Sequence, residues 1–327
     1  MEPSRASFAI GLNAVILTVT EESPRVLTVP GPGGEAALPF GSLDPGSERT
    51  LELALRVRVR EQSGLELGYV EQLYTFGDRD RHLGGDVDRA RILSVAYLAL
   101  VREHEAPSNE AHWRDVYELL PWEDWRRGRP ALIGRRLSPR LREWAKSAPA
   151  PLARLRRERV EIAFGLGGSR WDEERVLDRY ELLYEAGLVT ETRRDAEHAG
   201  ADPVGAASTG DTGTASAIGR PMVLDHRRIV ATALGRLRGK LKYRPVVFEL
   251  LPPHFTLLQL QRLVEALAGV RLHKQNFRRL VERAGLVECT GRLDTHTGGR
   301  PAELFAFRRE VLRERPAPGV GLPGLRS

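Results

Sequence analysis

Residues 255–307 decide the fold of the C-terminal part of the chain: FTLLQLQRLVEALAGVRLHKQNFRRLVERAGLVECTGRLDTHTGGRPAELFAF. Their pattern predicts two short amphipathic helices, followed by a hairpin whose tip runs from Thr297 to Pro301. Thr256 is suited to cap the first helix, and Gly269 is suited to end it in the left-handed conformation. Two helices joined by a short turn and followed by a hairpin are typical of a winged helix-turn-helix, a DNA-binding fold.

The second helix of this segment predicts a surface for DNA. Its apolar residues recur at helical spacing and mark the buried side: Phe277, Leu280, Val281 and Ala284. Polar side chains occupy the opposite side and its flanks: Gln275, Asn276, Arg278 and Arg279. Amide side chains pair with adenine and guanidinium groups with guanine, whereas Lys274, nearer the buried edge, suits a phosphate. The alternative is an ordinary solvated helix face.

The predicted hairpin and the distribution of charge favour the DNA interpretation. Segments 286–290 and 303–307 predict paired strands, and Arg300 at their tip is placed to enter a minor groove or contact a phosphate. Residues 225–309 contain 17 Lys or Arg and seven Asp or Glu, a net charge of +10. Because the whole chain is +6, the remainder carries −4. Positive charge is therefore concentrated where binding to DNA by counterion release requires it.

The composition of the 327-residue chain allows two domains with hydrophobic cores, since 41% of its residues are hydrophobic. Its single cysteine, Cys289, excludes an intramolecular disulfide and disfavours a cysteine-based metal site. We expect Cys289 to be a small core residue of a wing strand. No apolar run reaches the roughly 20 residues of a membrane span, and residues 8–19 predict a strand rather than a leader peptide. These features indicate a cytoplasmic protein.

The N-terminal third combines predicted strands with one ambiguous segment. Residues 8–19 and 25–29 are β-branched runs joined by a turn, which predicts a hairpin. Alternating apolar residues between Leu51 and Val59 predict a strand. The same segment also carries a helical stripe, with Ser47 and Gly64 as plausible start and stop signals. The pattern alone favours the strand.

Two blocks of the chain carry a family resemblance. The first, within residues 8–101, contains LPFGSLDPGSERTLELALRVRVREQSGLEL, YVEQLYTFGDRDR and ILSVAYLALV. The second, within residues 220–309, contains DHRRIVATALGRLRGKLKYRPVVFELLP, LHKQNFRRLVERAGLVE and TGGRPAELFAF. Together they resemble the Nudix-related transcriptional regulators of NAD metabolism (NrtR-like). The length of the chain is most similar to that of the longer NadQ-type NAD regulators.

This resemblance implies an α+β protein: a Nudix-like α/β/α sandwich domain with a helical insertion and a C-terminal winged helix-turn-helix domain. Residues 47–63 then become the Nudix helix, which overrides the strand interpretation. We assign residues 1–101 to the Nudix-like sensor domain and 102–192 to the helical insertion. We assign residues 193–219 to a flexible linker and 220–327 to a linking helix plus the winged helix domain.

The Nudix box, whose carboxylates hold Mg²⁺ on a pyrophosphate, is reduced in this chain. Its R-E-U-x-E-E positions are occupied by Val57, Arg58, Val59, Arg60, Glu61 and Gln62. Only Glu61 remains of the three expected carboxylates, and one carboxylate cannot organise metal-dependent hydrolysis. The resemblance therefore implies a pocket that binds a nucleotide without cleaving it, with no metal and no required cofactor. We expect this effector site to include Arg58, Glu61, Phe76 and Asp78.

The middle of the chain leaves several interpretations open. Aromatic residues at Trp113, Trp122 and Trp125 favour core packing over stacking on a base. Helical patterns between residues 138 and 191 predict a subdomain that dimerises the protein or covers the ligand. A further helix is predicted from Asp225 to Tyr243. The cations in its last turns either complement the helix dipole or contact DNA phosphates: Arg236, Arg238, Lys240 and Lys242.

The resemblance implies a homodimeric transcriptional repressor of NAD-biosynthesis genes. Such a protein binds a palindromic operator of double-stranded DNA and senses an adenine nucleotide: NAD, ADP-ribose or ATP. The alternative is an active Nudix pyrophosphatase that cleaves ADP-ribose or NAD and carries an accessory DNA-binding domain. A third class, a structural or RNA-binding adaptor, predicts no preference for a palindromic duplex.

Overall fold

The structure, a computed structural model, describes residues 8–77, 91–102, 110–198, 218–295, 301–314 and 319. Its strands are β1 (Phe8–Thr20), β2 (Ser23–Pro30), β3 (Ala36–Ala37), β4 (Phe40–Ser42), β5 (Tyr69–Phe76), β6 (Arg91–Leu100), β7 (His112–Asp115), β8 (Val287–Asp294) and β9 (Ala302–Phe307). Its helices are α1 (Leu51–Ser63), α2 (Val116–Leu119), α3 (Ser138–Lys146), α4 (Ala150–Phe164), α5 (Val176–Glu185), α6 (Thr190–His198), α7 (His226–Tyr243), α8 (Leu257–Ala268), α9 (Lys274–Ala284) and α10 (Val311–Glu314). Within these ranges, no helix combines the length and apolar character that crossing a bilayer requires.

One mixed sheet contains strands β1 to β7. Its order is β3-β2-β1-β6-β5, with β4 paired to β1 and β7 paired to β2. The predicted hairpin is confirmed, since β1 and β2 are antiparallel with Leu17 opposite Val26. Strands β1 and β6 run parallel over ten residue pairs, from Phe8 opposite Arg91 to Leu17 opposite Leu100. These two long strands form the centre of the sheet.

The ambiguous segment after β4 is the helix α1, so the strand interpretation is wrong and the family resemblance gave the correct one. The Thr50 hydroxyl caps it by accepting a hydrogen bond from the Leu53 N–H at 3.2 Å. Gly64 ends it in the left-handed conformation at φ 70°. The helix therefore starts slightly later than the predicted Ser47. Its buried residues join those on one face of β1: Ala54, Leu55, Val59, Leu12, Ala14 and Ile16.

The other face of the sheet packs against a layer of helices. Val15 and Leu17 of β1 belong to the same buried cluster as Trp122, Leu183 and Leu237. Because α1 covers one face and this helical layer the other, the N-terminal part is an α/β/α sandwich. Core packing is confirmed for Trp122, whose side chain is fully buried.

The C-terminal part has the predicted order of two helices and a hairpin. Thr256 and Gln259 form a reciprocal capping box at the start of α8, and Gly269 ends that helix at φ 74°. Strands β8 and β9 pair antiparallel as the wing. Phe255 extends this sheet through two backbone hydrogen bonds to Phe305, of 3.0 and 2.8 Å. A single bridging residue leaves no periodic pattern, so this contact was not predictable.

Two features depart from the predicted segment limits. Strand β7 lies beyond residue 101 and pairs with β2, so the insertion contributes to the sheet and is not wholly helical. Helix α6 runs to His198, past the predicted start of the linker at residue 193. Its Glu191 forms a buried ion pair with Arg227 at 2.6 Å. Both elements depend on partners distant in sequence, which local composition does not reveal.

The prediction of a buried Cys289 is wrong. The residue is exposed on β8, where its Sγ lies 2.8 Å from Glu303 Oε1 and donates a hydrogen bond to it. Strands β8 and β9 form a two-stranded sheet. The face of the β8–β9 sheet that carries Cys289 is therefore open to solvent.

Candidate functional site

The predicted DNA-contacting residues of α9 lie together on the surface. All five that belong to this helix are exposed: Lys274, Gln275, Asn276, Arg278 and Arg279. Phe277 and Val281 are buried beneath them. A guanidinium nitrogen of Arg279 donates to Asn276 Oδ1 at 2.7 Å, so these two side chains are positioned as a pair. Arg300, the predicted tip of the wing, lies outside the described residues.

A buried carboxylate shapes the turn that precedes α9. Glu265 Oε1 accepts hydrogen bonds from the Gln261 side chain and the Leu272 backbone N–H, both at 2.9 Å, and its Oε2 accepts from Arg271 at 2.7 Å. Burial opposes ionisation of Glu265, but these hydrogen bonds outweigh it and lower its pKa. The carboxylate thus fixes the path from α8 to α9. Glu265 follows Gln261 and Arg262 at helical spacing, a polar pattern that the sequence does not distinguish from an ordinary solvated helix side.

A small cleft opens on the sheet where the start of β1 meets β4, β6 and the N-terminus of α7. Its lining is Gly11, Leu12, Asn13, Phe40, Gly41, Ile92, Ser94, Leu224 and His226. The Asn13 side chain is 3% exposed and donates through Nδ2 to Ser94 Oγ. Its Oδ1 is buried and has no hydrogen-bond partner among the described residues. Such an unsatisfied acceptor suits a ligand that brings a donor.

Two of the predicted effector residues, Arg58 and Phe76, neighbour residues that line this cleft. Arg58 crosses Gly41 so closely that a Cβ there would lie 2.9 Å from Arg58 Cδ. Arg58 also forms ion pairs of 3.2 Å with Glu61 and with Glu48, which brings two predicted residues together. Phe76 is nearly buried and stands opposite Ser94 in the β5–β6 pairing. Asp78 lies outside the described residues.

Two other residues at the Nudix-box positions have structural partners. The Gln62 side chain accepts from the Phe40 N–H at 3.0 Å and donates to the Phe40 carbonyl at 2.8 Å, which fastens α1 to β4. Val59 is fully buried in the core beneath the helix. In the part of the chain that the structure describes, no group of three or more His, Cys, Asp or Glu side chains is arranged to hold a metal ion.

Arg236 is exposed, and the other three predicted cations of α7 form ion pairs, although Lys240 and Lys242 also lie in the last turn, where they complement the helix dipole as one of the two predictions had it. Arg238 is buried and pairs with Glu123 at 2.6 Å, and Arg179 pairs with the same carboxylate at 2.6 Å. Lys240 pairs with Glu71 of β5 at 2.5 Å. Lys242 reaches two acidic residues that precede α5. The linking helix is therefore tied to both the sheet and the insertion.

The winged helix domain docks directly on the sandwich. Glu22, in the β1–β2 turn, contacts both Arg262 of α8 and Arg271 of the following turn. The Tyr117 hydroxyl donates to the Ala266 carbonyl at 2.6 Å, and burial raises the pKa of Tyr117 to about 12. The Trp125 backbone N–H donates to the Gly269 carbonyl at 2.7 Å. These bonds reach the end of α8, immediately before the turn into α9.

The architecture of this protein is an α/β/α sandwich joined to a C-terminal winged helix. Within it, residues 247–307 match the family model of the NrtR DNA-binding winged helix domain. The chain is 37% identical over 86 residues to the ADPR responsive transcriptional repressor NtrR of Acinetobacter baylyi. That match covers 26% of this chain and 34% of the relative, about a third of its length.

Solved structures share the fold over nearly the whole chain. NrtR of Shewanella oneidensis, crystallised with a 27mer DNA, has a TM-score of 0.54 and 19% identity, with 93% of this chain and 95% of that chain covered. A MutT/nudix family protein of Enterococcus faecalis has a TM-score of 0.50 and 16% identity, with coverage of 94% and 89%. The predicted fold class, a Nudix-like sandwich with a C-terminal winged helix, is confirmed.

Proposed function

We propose that this protein is a transcriptional repressor that binds operator DNA through α9 and responds to ADP-ribose bound at the cleft of the Nudix-type domain. The observation that carries the proposal is the exposed row of amide and cationic side chains on α9, described above, in a domain of the NrtR DNA-binding type. The curated relative that shares 37% identity over part of its length is an ADPR responsive repressor, which favours ADP-ribose over NAD or ATP as effector.

The side chains of α9 are suited to two kinds of DNA contact, with bases and with phosphates. Gln275 and Asn276 present amides, and Arg278 and Arg279 present guanidinium groups, at the exposed side of the helix. These groups match the acceptor and donor edges of adenine and guanine in a major groove. Lys274, at the first turn, is placed for a phosphate. Base contacts then specify the sequence, and phosphate contacts position the helix.

The finer features of the proposed function follow from the resemblance and from symmetry. A helix-turn-helix reads a short half-site, so specificity for one operator requires two copies about one helical turn apart. We therefore propose a homodimer on a palindromic operator upstream of NAD-biosynthesis genes. Membership of the NadQ-type subgroup, which the length of the chain favours, stays a prediction.

The proposed role is regulatory rather than catalytic. At the box positions, Arg58 places a cation beside Glu61 and Gln62 is bound to the β4 backbone. A divalent metal would have to displace the Arg58 guanidinium from Glu61 before binding it. Mg²⁺-dependent cleavage of ADP-ribose that Glu61→Gln abolishes would establish the pyrophosphatase alternative instead.

The test is fluorescence anisotropy with a labelled duplex from a promoter of NAD-biosynthesis genes. The full-length chain should bind it more tightly than a scrambled duplex of equal length, and ADP-ribose should change that affinity more than equal concentrations of NAD or ATP. Equal affinity for both duplexes would overturn the DNA-binding proposal. An affinity that none of the three nucleotides changes would overturn the sensing proposal.

A further inference from the structure

The cleft at Asn13 is too small for the ligand that the proposed function requires. Its enclosed space is about 10 Å³, which admits about one water molecule. An adenine or ribose ring is several times larger than a water molecule. A nucleotide can therefore reach Asn13 only if one wall of the cleft moves.

The walls differ in how firmly they are held. Gly11 and Asn13 of β1 are paired on one side with β4 and on the other with β6, and these ladders include Ser42 and Ser94. Moving any of these strands would break several backbone hydrogen bonds in the centre of the sheet. Leu224 and His226 form the remaining wall and belong to no strand. They are the part of the lining that no strand pairing holds in place.

The backbone of that wall is strained. Leu224 adopts a left-handed conformation with φ 48°, which is unfavourable for a residue that carries a Cβ. Hydrogen bonds along the segment hold it there: the Val223 N–H donates to the Ala36 carbonyl at 3.0 Å, the His226 N–H donates to the Val223 carbonyl at 3.1 Å, and Arg194 donates to the Met222 and Leu224 carbonyls. The Leu38 N–H donates to His226 Nδ1 at 3.0 Å. If a ligand displaced this segment, Leu224 would be free to leave the left-handed region.

The wall is continuous with the helix that leads to the DNA-binding domain. His226 is the first residue of α7. Two-thirds of the way along the same helix, Arg238 donates to the Leu267 carbonyl of α8 at 3.1 Å. Most of α7 is buried against the sandwich and α5. A displacement at the N-terminus of this packed helix therefore moves Arg238 relative to α8.

We propose that Asn13 recognises a hydrogen-bond donor of the bound nucleotide, and that entry of this ligand displaces Leu224 to His226 and so shifts α7 against the DNA-binding domain. This inference rests on the proposed function and identifies the element that transmits the signal. The donor class follows from the unsatisfied Oδ1 of Asn13, which pairs with an N–H or O–H group such as an exocyclic amine or a ribose hydroxyl. The direction in which DNA affinity changes is left to the measurement.

Two variants of the full-length chain separate recognition from transmission. Asn13→Ala should weaken ADP-ribose binding at least tenfold in calorimetry while the affinity for operator DNA without ADP-ribose stays unchanged. Leu224→Gly removes both the wall side chain and the φ penalty. It should bind ADP-ribose at least as tightly as the parent chain, while the ratio of DNA affinities with and without ADP-ribose falls towards one.

Leu152→Ala is the matched control for the loss of a leucine side chain, because Leu152 is exposed on α4 and does not line the cleft. It should keep the parent's ratio of DNA affinities. Leu224→Ala, which keeps a Cβ, provides a second test if the glycine variant does not fold, as judged by circular dichroism. A parent chain without any ADP-ribose response overturns the proposed function itself. A responsive parent with unaltered responses in both Leu224 variants, or unaltered ADP-ribose affinity in Asn13→Ala, overturns only this inference.

Discussion

At the scale of single residues, the exposed side of α9 makes the most direct predictions. Arg279 is exposed, and its guanidinium group is held beside Asn276 on the side of α9 that we propose faces DNA. Replacing Arg279 with Ala should weaken operator binding by roughly 1–3 kcal/mol and relax the preference at one base pair. Binding to a set of operators with single base-pair changes measures both effects. Arg283→Ala, at the last turn of the same helix, should change affinity less and leave the base preference intact.

Lys274 is predicted to contact a phosphate, so its removal should act differently. Lys274→Ala should weaken binding to specific and scrambled duplexes by the same factor, because a phosphate contact carries no base information. The slope of log affinity against log salt should fall by about one. Titrations at several salt concentrations give this slope. An unchanged slope, or a loss confined to the operator sequence, would contradict a phosphate role for Lys274.

At the scale of elements, the turn between α8 and α9 depends on the ionised Glu265. Glu265→Gln keeps the size of the side chain but replaces the carboxylate that accepts hydrogen bonds from Gln261, Leu272 and Arg271. Hydrogen bonds to a charged group contribute about 1.5–3 kcal/mol each, so we expect a loss of at least about 1 kcal/mol in the free energy of unfolding. Urea denaturation measures it, and an unchanged midpoint would contradict this role.

The same carboxylate predicts a dependence on pH. Its pKa in the folded protein lies below the ordinary value of 4.5. A group with a lowered pKa stabilises the folded state fully above its unfolded pKa, and this stabilisation is lost as the pH falls through the folded value. The parent chain should therefore lose more stability than Glu265→Gln between pH 5 and the acid transition. Parallel urea titrations across this range compare the two proteins.

Elements with a local pattern were predictable from the sequence, whereas their long-range partners were not. The two helices and the wing follow from apolar spacing with caps at Thr256 and Gly269. Alternation between Leu51 and Val59 misled, because two of its apolar residues, Leu53 and Val57, are exposed on the outer side of the helix. The buried pair of Arg238 and Glu123 joins residues 115 positions apart, and no local signal marks it. For the same reason, the wall at Leu224 could not be foreseen.

At the scale of the whole molecule, one buried carboxylate joins three parts of the chain. Glu123 accepts hydrogen bonds from Arg179 of α5 and from Arg238 of α7, and all three side chains are almost fully buried. Removing the charge of Glu123 leaves two guanidinium groups in the core without a counter-charge. Such a loss destabilises proteins by about 3–5 kcal/mol.

Glu123→Gln should therefore lower the free energy of unfolding by about this amount. Glu185→Gln is the matched control, since Glu185 forms a solvent-exposed pair with Arg159, and such pairs contribute about 0–1 kcal/mol. Chemical denaturation of both variants makes the comparison. Equal losses for the two variants would contradict the central role of the buried carboxylate.

The exposed thiol on the wing gives the protein a built-in chemical handle. Cys289 is the single cysteine of the chain, so a maleimide dye attaches at one position, on strand β8 of the wing. Its hydrogen bond to Glu303 raises the pKa of the thiol, and only the thiolate reacts with such dyes. Labelling should accordingly be slow at neutral pH and faster in mild alkali. The wing then reports its own environment by fluorescence without any engineered residue.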